Sequence, residues 1–332
     1  MKHIYLSIII LLMTGCIQNP EKVNLSVVQD PDTMLNDTAV KVAIASVISP
    51  KESYEYYDEM IQYISTKLGG NVKIIQRRSY QEINDLIKNN EIDFAFVCGG
   101  AYIDGNSEFG MKILVAPVVF GNTTYNSYII VRNNSNYTSL NDLRGKKFAF
   151  SDPLSNSGKL YPTYRLHLLH ETPESFFGID EKGKNNSFYT YSHDNSIIAV
   201  AEQIADGSAV DSLVYEDMKE KRSDIIAKTR IIEISPPFGI PPVVVSKDID
   251  PFLEERLRSI FLNMDKDEEG KKILSFMVRE EWDKLTPELQ GEIKARLTET
   301  VKRNVEETDK NVMYFRERFI WMPGKESTEE SR

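Results

Sequence analysis

Apolar residues along this chain fall into short blocks whose period switches between strand and helix. AVKVAIAS, residues 39–46, is a run of small and β-branched residues too short for a helix, and it predicts a buried strand over Val40–Ser46. After the loop VISPKES, Tyr57, Ile61, Ile64 and Leu68 share one helical face, so a helix is expected from about Tyr54 to Leu68, stopped by Gly69 and Gly70. VKIIQR then reads as a strand, SYQEINDLIKNN as a helix with Ser79 placed to cap it, and IDFAFVCGG as another strand. Strand and helix alternating in this way predict a mostly parallel sheet with helices packed on its faces.

MKILVAPVVF and YNSYIIVRN carry the strand pattern onward. TSLNDLRGKKFAFSDPLSNSGKLYPTYRLHLL holds a short capped helix, the strand KKFAF, the loop SDPLSNSG and a helix starting near Lys159. A second strand–helix set runs from there to about Pro242. PPFGIPPVVVSKDID is rich in proline and then β-branched, the pattern of a crossover whose last strand rejoins the first set. Helices are expected near Asp250–Met264, Glu268–Arg279 and Pro287–Thr300, before a highly charged tail over 301–332 that contains YFRERFIW. The expected fold class is therefore α/β with two lobes. Residues 39–131 and 243–300 make lobe 1, residues 132–242 make lobe 2, and the two connections form a hinge beside a central cleft.

The N-terminus adds a compartment. Lys2 and His3 precede an apolar run from Ile4 to Met13, then Thr14, Gly15 and Cys16. The run suits export but falls short of the ~20 residues that span a bilayer. Residues 1–15 read as a lipoprotein signal peptide, Cys16 as the lipidated residue, and 16–38 as a polar tether holding the body at the outer face of the cell membrane. An ordinary signal peptide with an incidental cysteine, or an uncleaved anchor, is the alternative. With Cys16 acylated only Cys98 remains, so no intrachain disulfide is available and stability must come from the core. At 332 residues and 41% hydrophobic content, the chain is long enough for two cores. Its net charge of −10 argues against a nucleic-acid partner. It does not exclude a small buried anion, which is held by local donors.

The segment SDPLSNSGKLYP places Ser155, Asn156, Ser157 and Gly158 between a strand and a helix. Hydroxyls and backbone N–H groups converging there suit an oxyanion, although Ser-Asn-Ser-Gly is equally ordinary loop and N-cap chemistry. His193 in YSHDNSI fits a ligand contact or a structural cap. Asp211, at a strand end, could brace donors or satisfy backbone groups, and Cys98 and Tyr102 read as packing near the cleft edge. A hydrolase reading would make Ser155 or Ser157 a nucleophile with His193 as base and Asp211 as orienter, but no G-x-S-x-G elbow accompanies the serines. His167 and His170 are three apart on a helix and complete no familiar metal-ligand set, and no cofactor is expected.

SPKESYEYYDEMIQYISTKLG, IDFAFVCGGAYI, YNSYIIVRNNSNYTSLNDLRGKKFAFSDPLSNSGKLYPTY, SHDNSIIAVAEQIADGSAVD and SPPFGIPPVVV follow one another in an order and spacing that resemble the phosphate-, phosphite- and phosphonate-binding family of ABC-transporter solute-binding proteins. The likeness covers about Val40 to Met277 and implies a type II periplasmic-binding-protein fold, no enzymatic activity, and an ABC permease as partner. It implies oxyanion contacts at Ser155, Asn156 (where the family has Thr), Ser157 and His193, with Tyr80 and Tyr125 closing from the other lobe. At Asn156 the backbone N–H is expected to keep the family's role. The carboxylates that hold an amine in the family's aminophosphonate binders fall here on Met218 and Pro241, so phosphite, phosphate or a short alkylphosphonate is expected instead. A shift of one or two residues onto Glu216 or Asp217 would restore a carboxylate. A receptor read by a sensor kinase, or a binder of another small anion, remains the alternative.

Overall fold

The computed structural model describes residues 39–119 and 122–276. The expected signal peptide, Cys16, the tether, the helix over Pro287–Thr300 and the charged tail lie outside these residues. The strands are β1 (Val40–Ile44), β2 (Val72–Gln76), β3 (Phe94–Phe96), β4 (Lys112–Val115), β5 (Thr124–Tyr125), β6 (Ser127–Arg132), β7 (Phe148–Phe150), β8 (Ser187–Tyr189), β9 (Gly207–Asp211), β10 (Thr229–Ile234), β11 (Phe238–Gly239) and β12 (Val243–Val245). The helices are α1 (Pro50–Leu68), α2 (Tyr80–Lys88), α3 (Gly99–Phe109), α4 (Tyr161–His167), α5 (Pro173–Phe177), α6 (His193–Ala201), α7 (Ser212–Lys221), α8 (Ser223–Ile226), α9 (Pro251–Asn263) and α10 (Glu268–Phe276).

Two sheets organise them. The first has the order β2-β1-β3-β12-β4, with β1 parallel to β2 and β3 and with β12 antiparallel to both of its neighbours. Both faces are covered, which is why its strands are apolar without alternation. Ala43, Ala95 and Val244 face the cluster of Tyr80, Ile83 and Ile87, while Val42, Phe94, Val243 and Val245 face that of Ile61, Ile64 and Leu257. The second sheet has the order β10-β6-β9-β7-β8. On one side it packs Ile130, Ala149 and Val210 against Ile197 and Val200, and on the other Ile129, Phe148 and Phe150 against Phe176 and Phe177. Between the sheets, β5 and β11 pair antiparallel, Tyr125 opposite Phe238, as a short ribbon carrying both crossovers. β6 hydrogen-bonds to β10 and β9, so the second lobe starts at Ser127, ahead of the Arg132 boundary expected from sequence.

Other local expectations meet specific physical outcomes. Ser79 caps α2 in a capping box, its Oγ accepting from Glu82 N–H and its N–H donating to the Glu82 carboxylate. Such caps contribute about 1 kcal/mol. The strand expected over IDFAFVCGG ends at Phe96, and Gly99 opens α3, a helix that glycine content conceals. The strand expected over MKILVAPVVF is cut to Lys112–Val115. Among the described residues no helix is long and apolar enough to cross a membrane.

The lobes touch through polar contacts at helix starts. Asp152 Oδ2 accepts the N–H of Tyr80, the first residue of α2, at 3.0 Å. Asp194 Oδ1 accepts the N–H of Ser49, the residue capping α1, at 3.0 Å. A carboxylate at a helix N-terminus meets unpaired N–H groups and the positive end of the helix dipole. His193 N–H bonds Val47 O at 2.9 Å, and the apolar side chains exchange sides as well. Val47 and Ile48 pack on the lobe 2 cluster and Leu154 on the lobe 1 cluster.

Candidate functional site

β7 runs out into Ser151 and Asp152, whose Oδ1 accepts the Leu154 N–H at 2.8 Å and turns the chain back. Ser155 then caps the next element, its Oγ accepting from Gly158 N–H at 3.0 Å. The helix expected near Lys159 starts as a π turn over Asn156–Leu160, with Leu160 N–H on Ser155 O at 2.9 Å and Tyr161 N–H on Asn156 O, before α4 begins. Because Tyr161 N–H bonds Asn156 O, Ser157 O is free and accepts the Ser127 hydroxyl at 2.7 Å, while Pro162, with no N–H, returns no bond to this turn. Gly158 is required by packing, since a Cβ there would lie 1.8 Å from Ser151 Oγ and 2.9 Å from His193 Cε1.

Around this turn, buried polar side chains lack protein partners. They are Ser151 Oγ, both polar atoms of the Asn156 amide, Ser157 Oγ, and the hydroxyls of Tyr80 and Tyr125. Tyr80 stands on α2 and Tyr125 on the crossover ribbon, where its ring packs edge-on to Phe238. Ser157 and Asn156 lie close enough to ease ionisation of the Tyr125 phenol without a bond of proper geometry. Burial outweighs them and holds both phenols well above their usual range, so each remains a neutral donor. The site thus gathers Ser157, Asn156, Tyr80 and Tyr125, all anticipated, with Ser151, which was not.

His193 and Asp211 stand one layer behind. The backbone N–H of Asp211 donates to His193 Nδ1 at 3.0 Å, so that nitrogen carries the lone pair and the proton sits on Nε2, 3.2 Å from Ser155 Oγ. Burial pushes the imidazole pKa down to about 3, and the ring is neutral. Ser155 Oγ, accepting from Gly158 N–H and from Nε2–H, has only its own proton left to give, which makes it a fixed donor. Asp211 Oδ1 accepts Leu213 N–H at 2.7 Å as the cap of α7, and burial raises its pKa to about 7. These bonds oppose the hydrolase reading. With the proton on Nε2, His193 cannot take one from Ser155, and the Asp211 carboxylate does not face Nδ1.

The Asn156 N–H, expected to meet the ligand, donates to Cys98 Sγ at 3.4 Å. Cys98, expected as packing, is therefore also a polar contact between the lobes, and Asp152 is a second that sequence reasoning missed. Their partners lie 58 and 72 positions away, beyond any local signal. Met218 is buried in the apolar cluster of Val214, Ile225 and Ile226, away from the turn. Glu216 and Asp217 pair with Lys219 and Lys221. Among the described residues no group of His, Cys, Asp and Glu is arranged to hold a metal ion.

The family model described as "ABC transporter, phosphonate, periplasmic substrate-binding protein" matches residues 42–289. The phosphate-import protein PhnD of Mycolicibacterium smegmatis is 30% identical over 171 residues, 50% of this chain and 53% of its own length, so the chain spans about half the length of that relative. PhnD1 of Prochlorococcus marinus, solved with methylphosphonate, superposes with a TM-score of 0.64 at 20% identity, covering 73% of this chain and 90% of that one. A binding-protein component of an ABC phosphonate transporter from Pseudomonas aeruginosa gives 0.65 at 19% identity, covering 82% and 99%. These two likenesses carry the fold, a two-lobed α/β architecture of the type II periplasmic-binding-protein kind. With the family model spanning most of both lobes, the chain belongs to the family of periplasmic substrate-binding proteins of phosphonate ABC transporters.

Proposed function

We propose that this protein binds a compact phosphorus oxyanion (phosphite, phosphate or a short alkylphosphonate) between its lobes and delivers it to an ABC permease, tethered to the membrane by lipid on Cys16. The observation that carries this reading is the set of buried, unpartnered polar groups drawn from both lobes: Ser151, Asn156 and Ser157 from lobe 2, Tyr80 from lobe 1 and Tyr125 from the ribbon. Leaving buried donors without partners costs about 1–3 kcal/mol each, and an oxyanion rich in acceptors removes that cost.

Binding is reversible and non-covalent. The lobe 2 turn offers the Ser157 and Ser155 hydroxyls to the anion, and the tyrosines complete the shell as the lobes meet, so the ligand favours the lobe-to-lobe arrangement through contacts that need both sides. An ammonium group would find little support, because Met218 is apolar, Pro241 carries no charge, and Glu216 and Asp217 are held by lysines. Calorimetric titration of the Cys16→Ser chain with phosphite, phosphate, methylphosphonate and 2-aminoethylphosphonate tests the reading. One of the first three should bind best, and Ser157→Ala should weaken it about 10- to 100-fold, the value of a hydrogen bond to a charged group. Preference for the amino compound would overturn the ligand assignment.

A further inference from the structure

We propose that the site selects the monoanion of phosphite or of a short alkylphosphonate, with Asn156 Oδ1 accepting its P–OH, and that the fully ionised form is bound poorly. The inference rests on the reading of the site given above. The unpartnered groups differ in kind. Tyr80, Tyr125, Ser151 and Ser157 present hydroxyls, which rotate to donate. Asn156 cannot do the same. Its amide carries a carbonyl oxygen beside its NH2, both are without partners, and the residue is 1% exposed. Whichever way the amide is flipped, one obligate acceptor stays in the cluster. The dianion of phosphite or of an alkylphosphonate has no proton to give it, while the monoanion has one P–OH.

Charge around the cluster points the same way. The titratable groups facing it are Asp152 from the turn after β7, Asp211 from the end of β9, Cys98 at the start of α3, His193 at the start of α6, and the two tyrosines from α2 and β5. Two are carboxyl groups, and the histidine is neutral. Basic side chains on the adjoining elements are engaged elsewhere. Lys159 lies over the Phe150 ring at 4.0 Å, Arg165 on α4 pairs with Glu233, and Arg132 on β6 bonds Ala201 O. Arg78, beside Tyr80, lies over the Tyr191 ring, so among the described residues no basic side chain is bonded to the cluster, and a second ligand charge would enter a buried region that holds carboxyl groups.

Phosphite and methylphosphonate lose their second protons at different pH values near neutrality, which separates ligand titration from titration of the protein. Affinities of the Cys16→Ser chain for both are measured by calorimetry between about pH 5 and about pH 9, in buffers of different ionisation enthalpy. Each affinity should fall about tenfold per pH unit above the second dissociation of that ligand, with the two midpoints apart and about one proton taken up on binding at the alkaline end. Asn156→Thr, whose hydroxyl can donate to a dianion, should make both declines shallower. A midpoint common to both ligands would mark a protein group such as Asp211 and overturn the proposal, as would affinity that is flat or rising with pH. Unchanged declines in Asn156→Thr would overturn the role of the amide. No binding of either anion at any pH would instead overturn the functional reading on which this one rests.

Discussion

At the scale of single residues, His193 couples the site to stability. Its folded pKa of about 3 lies below the usual 6.5, so its contribution is complete above pH 6.5 and is lost as the pH falls toward 3. Asp211 titrates the other way. With its pKa raised from 3.8 to about 7, its relative contribution is greatest below the ordinary carboxylate range and is lost as the pH rises through 7. The two oppose each other between pH 4 and 6.5, which flattens the profile of the unmodified chain. Substituting His193→Asn should cost stability at neutral pH. That deficit should shrink by up to about 1.4 kcal/mol per pH unit below 6.5, measured by denaturant unfolding across that range. Sequence could name His193 but not its protonation, because the deciding donor is a backbone N–H at the end of β9, 18 residues further along the chain. Ser157 stood out within a serine-rich helix start, the tyrosines only through the order of whole segments, whereas Ser151 carried no local pattern at all.

At the scale of elements, the π turn decides how the donors are aimed. Helix-start signals read the same for a turn closed over four residues or five, so sequence located the element near Lys159 and missed its geometry; Pro162 was the available clue. Gly158→Ala tests how tightly the turn is built. Ser151 Oγ can rotate away from a new methyl group, but Ser151 Cβ, 2.8 Å from it, cannot. We expect a loss of about 1–3 kcal/mol, the usual range for overpacking, read as a lowered Tm together with weaker anion binding. α3 escaped sequence analysis for a related reason. Its glycines lower helix propensity in exchange for close packing, Gly105 against Met111 and Gly100 against Leu154 O.

For the whole molecule, that last contact is a lever on closure. A Cβ on Gly100 would come within 2.2 Å of Leu154 O and 3.2 Å of Asn156 N, both across the lobe interface. Neither lobe needs this space for its own core, so Gly100→Ala should leave the unfolding temperature nearly unchanged while wedging the lobes apart. Small-angle scattering should then give a larger radius of gyration that saturating anion no longer reduces, and affinity should fall at least about tenfold. An unaltered affinity would show that the lobes meet differently during binding. The crossover and the return of the chain to the first lobe were readable, because prolines followed by a β-branched run have few other uses.

The position of β12 between β3 and β4 also orders events during synthesis. The second sheet is complete once residue 234 has emerged, but the first has a gap in its middle until residues 243–245 arrive. Until then β3 presents an open edge of apolar residues and β4 has no neighbour at all. The half of the protein made first is therefore the last to finish folding, and its nascent form is the species most in need of a chaperone.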